Sequence, residues 1–193
     1  MPRFKNGYDR KRMTYGEKHI LSMKGEESMH AYMTNGTIDF LLRLQDKHPD
    51  LDFYFMSGSG GGLAYYEGEK NIFVSGRGFD ILIESGRMQK EGFVVMNNIP
   101  TTDEGKHILE NNFQKRDSTI ELMPGFQAFR FLRPIKGDTY VVMAQWRSAE
   151  DYDHWKESEQ FQEAHKDMDI KKPAYIPKRP FTSTYHMYTE EET

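Results

Sequence analysis

Seven histidines offer this chain its most versatile chemistry: His19, His30, His48, His107, His154, His165 and His186. No two stand at i, i+4 with a glutamate between them, the spacing that sets two imidazoles on one helix face over zinc. His48 precedes a proline at a helix end and His107 falls on an exposed helix face, so both read as solvated. His154 adjoins Trp155, and neighbours on a helix point about 100° apart, so at most one of the two faces a given pocket. Spacing alone leaves His165 open between a structural residue and a ligand. The carboxylates Glu150, Asp151, Asp153, Glu157, Glu159 and Glu163 cluster with intervening lysines and read as a charged helix surface, not an acid/base pair. The chain contains no cysteine, which removes disulfides, thiolate metal sites and a thiol nucleophile. It also contains no G-x-S-x-G element. Gly58-Ser59-Gly60-Gly61-Gly62 invites a phosphate-binding reading, but that needs a helix directly after the loop. Leu63-Ala64-Tyr65-Tyr66 follows as a strand instead, so the glycines read as a hairpin connection.

Apolar periodicity predicts the elements that must position these residues. Residues 30–34 read as a strand closed by Asn35-Gly36, and Thr37 can cap a helix with Ile38, Leu41, Leu42 and Leu44 on its apolar face. Strands follow at 51–56, 63–67, 71–75 and 79–84. The second half opens with a strand over 93–99. A helix capped by Thr101 or Thr102 then runs to about Lys115, with Ile108, Leu109 and Phe113 on its buried side. A hairpin of 126–132 and 140–146 comes next, and Ser148 with Asp151 has the form of a capping box that starts a helix through Trp155. A second helical piece covers 160–166, and a last strand covers 182–188. That order is β-α-β-β-α-β, the ferredoxin-like arrangement. The expected fold is α+β: two ferredoxin-like halves, 29–90 (degenerate) and 91–193, whose sheets form within one chain the barrel-like core of a dimer.

Composition bounds the function. The 193 residues carry a formal charge of −4 and 13% aromatics, enough for a real core and too acidic for a nucleic-acid binder. No apolar run approaches the ~20 residues that cross a bilayer, so the expectation is a cytoplasmic protein with no membrane partner. Residues 1–28 differ, with seven Lys/Arg against four acids. They lack the apolar region of a secretory signal. Lys24-Gly25-Glu26-Glu27 can be encoded by a purine-rich stretch that looks like a ribosome-binding site ahead of Met29. The segment reads either as a leader that is not translated or as a natural disordered arm.

A resemblance adds to this. Phe93-Val94-Val95-Met96-Asn97-Asn98-Ile99, Glu110-Asn111-Asn112-Phe113-Gln114-Lys115-Arg116, Pro124-Gly125-Phe126, Trp146-Arg147-Ser148 and Trp155 followed by Phe161-Gln162-Glu163-Ala164-His165-Lys166 resemble the IsdG-like heme-degrading monooxygenases of the antibiotic-biosynthesis-monooxygenase superfamily. Tyr32 through Leu41 looks like the start of the longer HmoB type, a single chain that fuses a degenerate half to a heme-binding half. The resemblance implies His165 as the axial iron ligand, Asn97 as the amide donor toward the oxygen being activated, and Trp155 as the residue that holds the porphyrin non-planar. Phe113 would help line an apolar slot, and Lys115 and Arg116 read either as propionate contacts or as a solvated helix C-terminus.

Two consistency conditions follow from the residues themselves. Asn97 and Asn98 lie on opposite faces of a strand, so only one can serve the site. Trp155 and His165 are ten residues apart, about 80° short of whole turns on an unbroken helix, so a break at Ser158-Glu159 is needed to bring both to one pocket. The expected activity is opening of the heme ring with release of iron, using O2 and an external reductant, by a monomer. The rivals are a cofactor-independent oxidation of an aromatic substrate on the same fold, and a heme carrier or sensor without turnover.

Overall fold

The computed structural model describes residues 29–115, 119–165 and 176–189. The elements in chain order are β1 (His30–Gly36), α1 (Ile38–Lys47), β2 (Tyr54–Gly58), β3 (Gly61–Gly68), β4 (Arg77–Gly86), β5 (Phe93–Pro100), α2 (Lys106–Gln114), a 3-10 turn (Thr119–Leu122), β6 (Phe126–Pro134), β7 (Thr139–Trp146), α3 (Ala149–Glu157), α4 (Glu159–His165) and β8 (Phe181–Met187). The eight strands close into a barrel in the order β1-β3-β2-β8-β5-β7-β6-β4. Every pairing is antiparallel. Within the barrel, β4-β1-β3-β2 and β8-β5-β7-β6 repeat one strand order, and β2–β8 and β6–β4 join the two sets. This is the ferredoxin-like α+β fold. Closure leaves no open sheet edge.

Strand alternation sorts the side chains into two layers. Met33, Met56, Leu63, Tyr65, Phe79, Val94, Met96, Val141 and Met143 fill the lumen. On the outer face, Phe93, Val95, Ile99, Phe129, Phe131, Tyr140 and Trp146 pack under α2 and α3 through Leu109, Phe113, Tyr152 and Trp155. A third cluster, Tyr32, Phe53 and Tyr66 with Ile72 and Phe73, occupies the outer face of the first strand set.

Local chemistry fixes the element ends. Thr37 takes the N-cap position of α1 with extended backbone, but its hydroxyl makes no capping bond. The helix ends at His48, whose successor Pro49 disfavours further helix. The glycine stretch is the β2–β3 hairpin, with Gly58 paired to Gly61. A Cβ on Gly62 would come within 2.7 Å of the Gly36 carbonyl oxygen, so glycine there serves close strand approach.

Two expectations are corrected. Residues 71–75 form no strand. Their backbone groups bond side chains instead: Ile72 N–H donates to the Tyr66 hydroxyl (2.9 Å) and Phe73 N–H to Asn71 Oδ1 (2.9 Å). Ile108 is 49% exposed. α2 begins only at Lys106, after a turn in which Gly105 N–H donates to Thr102 Oγ1 (3.2 Å). The buried face it presents is Leu109 with Phe113, one helical turn apart.

Candidate functional site

The outer face of β5 carries the first candidate. Val94 and Met96 point into the lumen while Phe93, Val95 and Ile99 point out beneath the helices, so alternation places Asn97 outward. Asn98 points the other way and is buried, its Nδ2 donating to the carbonyls of Met96 (3.2 Å) and Phe181 (3.3 Å). Asn97 is half-buried. Its Oδ1 accepts a hydrogen bond from Thr182 Oγ1 (2.6 Å), and its Nδ2 has no partner among the described residues.

Trp155 sits on α3 over the end of β7. Its ring lies 5.3 Å from Trp146 and 5.9 Å from Tyr152, and Phe161 of α4 meets it edge-on at 4.8 Å. His154 next to it is exposed, the divergence expected of helix neighbours. Trp146 pairs with Phe93 across the β5–β7 ladder. Asn97 lies four positions along the strand from Phe93, about 13 Å, so the aromatic group and the asparagine amide stand at two ends of one outward face.

The chain breaks where the Trp155–His165 spacing requires it. Ser158 has extended backbone (φ −73°, ψ 152°) and closes α3, its N–H donating to the Trp155 carbonyl (3.0 Å). Its hydroxyl also donates to that carbonyl (2.6 Å) and accepts from Phe161 N–H (3.2 Å). One serine thus ends α3 and caps α4, because its side chain satisfies backbone groups left over by both helices. His165 is the final residue of α4; its side chain lies outside the described residues.

The remaining candidates fall around α2. Phe113 stacks on Phe131 at 4.1 Å and 14°, and Phe131 stacks in turn on Tyr140. Lys115 is the exposed C-cap of α2, where a cation is favoured by the helix dipole. Arg116 lies outside the described residues.

The start of α3 is held firmly. Ser148 Oγ accepts from Asp151 N–H (3.2 Å), and Asp151 receives two hydrogen bonds from Arg147 (3.1 and 3.0 Å) and one from Ser148 Oγ (3.0 Å). Burial acts to raise the Asp151 carboxyl, but the Arg147 and Ser148 bonds and the Arg147 charge outweigh it and hold it below the ordinary carboxylate range. A separate hollow of about 600 Å³ opens beside Phe93, Arg147, Ser148 and His186. Neither Asn97 nor Trp155 lines it. Sequence reasoning missed Thr182, whose hydroxyl reaches Asn97 only through β5–β8 pairing, 85 positions away in the chain.

Residues 92–167 match the model of the antibiotic biosynthesis monooxygenase (ABM) family. The chain carries an ABM domain. That ABM stretch runs from β5 through α4 and includes Asn97, Phe113, Trp155 and His165. The chain is also similar to the signal transduction protein TRAP of Staphylococcus aureus (strain MRSA252), at 26% identity over 133 residues, covering 68% of this chain and 80% of the relative. Among solved structures it is similar to a major regulator of staphylococcal pathogenesis, with TM-score 0.72 and 22% identity over 81% of this chain and 98% of the other. It is also similar to LmHde, a heme-degrading enzyme from Listeria monocytogenes, with TM-score 0.64 and 20% identity over 81% and 98%. At such identities the structural likenesses establish the fold. No helix among the described residues is long and apolar enough to cross a membrane.

Proposed function

We propose that this protein is a heme-degrading monooxygenase that acts as a monomer on heme, with O2 and an external reductant, and releases iron. The observation that carries the reading is the outward amide of Asn97, its Nδ2 unpartnered among the described residues, on the same face as the aromatic group around Trp155. A flat, largely apolar ring with a polar centre needs that combination: an aromatic wall and a few placed polar groups. LmHde, a heme-degrading enzyme, has the same fold.

In this reading heme is substrate, and its iron supplies the centre at which dioxygen is activated. His165 binds the iron through a neutral imidazole nitrogen, delivered by α4 after the turn at Ser158. Asn97 Nδ2–H would donate a hydrogen bond toward the oxygen being activated. Trp155, backed by Trp146 and Tyr152, would bear on the macrocycle, whose distortion is one of the few levers a protein has on heme. Phe113 contributes to the apolar wall, and Lys115 and Arg116 pair with the propionates.

The similarity to TRAP, named a signal transduction protein, favours one second reading, a heme sensor that binds without turnover. A hemin titration followed by ascorbate in air, run beside His165→Ala, separates the two. A Soret band that forms, decays with iron release and is lost in the variant supports the enzyme. A band that persists through reductant and air supports the sensor, and no band overturns both.

A further inference from the structure

We propose that Thr182 of β8 is a positioning residue that fixes which end of the outward Asn97 amide is left free to donate; the consequence for turnover rests on the heme-degrading reading above. Asn97 and Thr182 are direct cross-strand partners in the β5–β8 ladder, so the sheet itself sets the hydroxyl beside the amide. The 2.6 Å separation falls in the range of O–H···O bonds and below that of N–H···O bonds. The contact length therefore selects Oδ1 as the atom held by the hydroxyl. With Oδ1 held, Nδ2 is turned away from Thr182, and no described residue accepts its protons.

Threonine suits this task because two heavy atoms on Cβ restrict its χ1, so the hydroxyl stays where the ladder puts it. An asparagine without that anchor is free to rotate its amide by half a turn. It would then present oxygen lone pairs, not N–H, to an electron-rich ligand. Lost orientation of this kind weakens a donor that must already be aimed when charge develops. Thr182 is exposed, so replacing it opens no core cavity.

The test begins without heme. The Asn97 side-chain amide is assigned in a 15N-correlated NMR spectrum as the pair that vanishes in Asn97→Ala. The expected result is that Thr182→Val shifts this pair and speeds rotation of the amide, while Thr182→Ser leaves it near its wild-type position. A pair unmoved by Thr182→Val overturns the proposal. The second measurement adds hemin and follows Soret decay under ascorbate and air. Thr182→Val is expected to form the same Soret band and decay about tenfold more slowly, the worth of one oriented hydrogen bond. Thr182→Ser should recover most of the rate, and Asn97→Ala/Thr182→Val should be no slower than Asn97→Ala. Wild-type decay in Thr182→Val, or equal loss in Thr182→Ser, overturns the role in turnover. A wild-type protein that never forms the band defeats the heme reading alone, and the amide spectrum still decides the anchor.

Discussion

The two strand sets of the barrel share one order but treat their outer faces differently. In the set β8-β5-β7-β6 the connection from β7 to β8 supplies α3 and α4, which carry Trp155 and His165. In β4-β1-β3-β2 the corresponding connection, residues 69–76, contains no helix and lies on the sheet. Ile72 and Phe73 pack there against Phe53 and Tyr66. Phe73 meets Tyr66 edge-on at 5.2 Å. The Tyr66 hydroxyl bonds the loop twice, donating to the Lys70 carbonyl (2.6 Å) and accepting from Ile72 N–H (2.9 Å). Thr34 follows the lumen residue Met33 as Asn97 follows Met96, and its hydroxyl donates to the Ser75 carbonyl (2.6 Å). One outer face is closed by its own chain; the other keeps a polar group turned outward. The same strand order therefore carries a short loop on one face and two helices on the other, according to what connects its third strand to its fourth.

The comparison is broken most directly at these two strand positions. Asn97→Ala should slow heme turnover by about a hundredfold, as removal of one preorganised donor does elsewhere, while Thr34→Ala should stay within about twofold, because a backbone carbonyl is all that Thr34 serves. Single-turnover Soret decay measures both, and the accompanying titration should saturate at one hemin per chain. Equal losses at the two positions would mean that the first face also works on heme.

Next in size is the filling of the first face. Phe73→Ala should cost about 2–3 kcal/mol in urea unfolding, since it removes a partly buried ring. Tyr66→Phe should cost about 1–2 kcal/mol by unpairing two backbone groups. Neither should alter hemin affinity. Ser158→Ala sharpens the same contrast from the other side: about 1 kcal/mol of stability, typical of a lost cap, together with weaker hemin binding as the α3–α4 turn loosens.

The smallest effect is in acid, where Asp52 before β2 and Asp151 on α3 are both depressed carboxylates. Asp52 is raised by burial but lowered further by hydrogen bonds from Lys90 and Tyr54, leaving it, like Asp151, below the ordinary range. A depressed carboxylate contributes stability that is present above its unfolded pKa, about 3.9, and is lost as pH falls through the folded value. Asp151→Asn should therefore flatten the acid limb of a stability–pH curve below about pH 4, and Asp52→Asn should do so independently.

Much of this architecture was legible in the chain. Alternation around Met96 separated Asn97 from Asn98 before any pairing was known, and the angle between Trp155 and His165 demanded the turn that Ser158 makes. The glycine stretch declared itself a hairpin because apolar residues resumed at Leu63 without a helical period. Residues 71–75 misled, since Ile72, Phe73 and Val74 look like a strand. What decides them is the Tyr66 hydroxyl, a tertiary partner that periodicity does not register. Thr182 was illegible for the same reason: its meaning lies in a ladder between β5 and a strand far along the chain.

The β2–β8 seam has a consequence for biosynthesis. Strand β8 is hydrogen-bonded to β2 on one side and β5 on the other, yet it is the last of the eight strands to leave the ribosome. Until it emerges, β2 and β5 present unpaired edges, the kind that pair with other chains, and Asn97 lacks its hydrogen bond from Thr182. Closure of the barrel therefore waits on the final strand, and a chain cut short before Phe181 leaves two sheet edges open to aggregation.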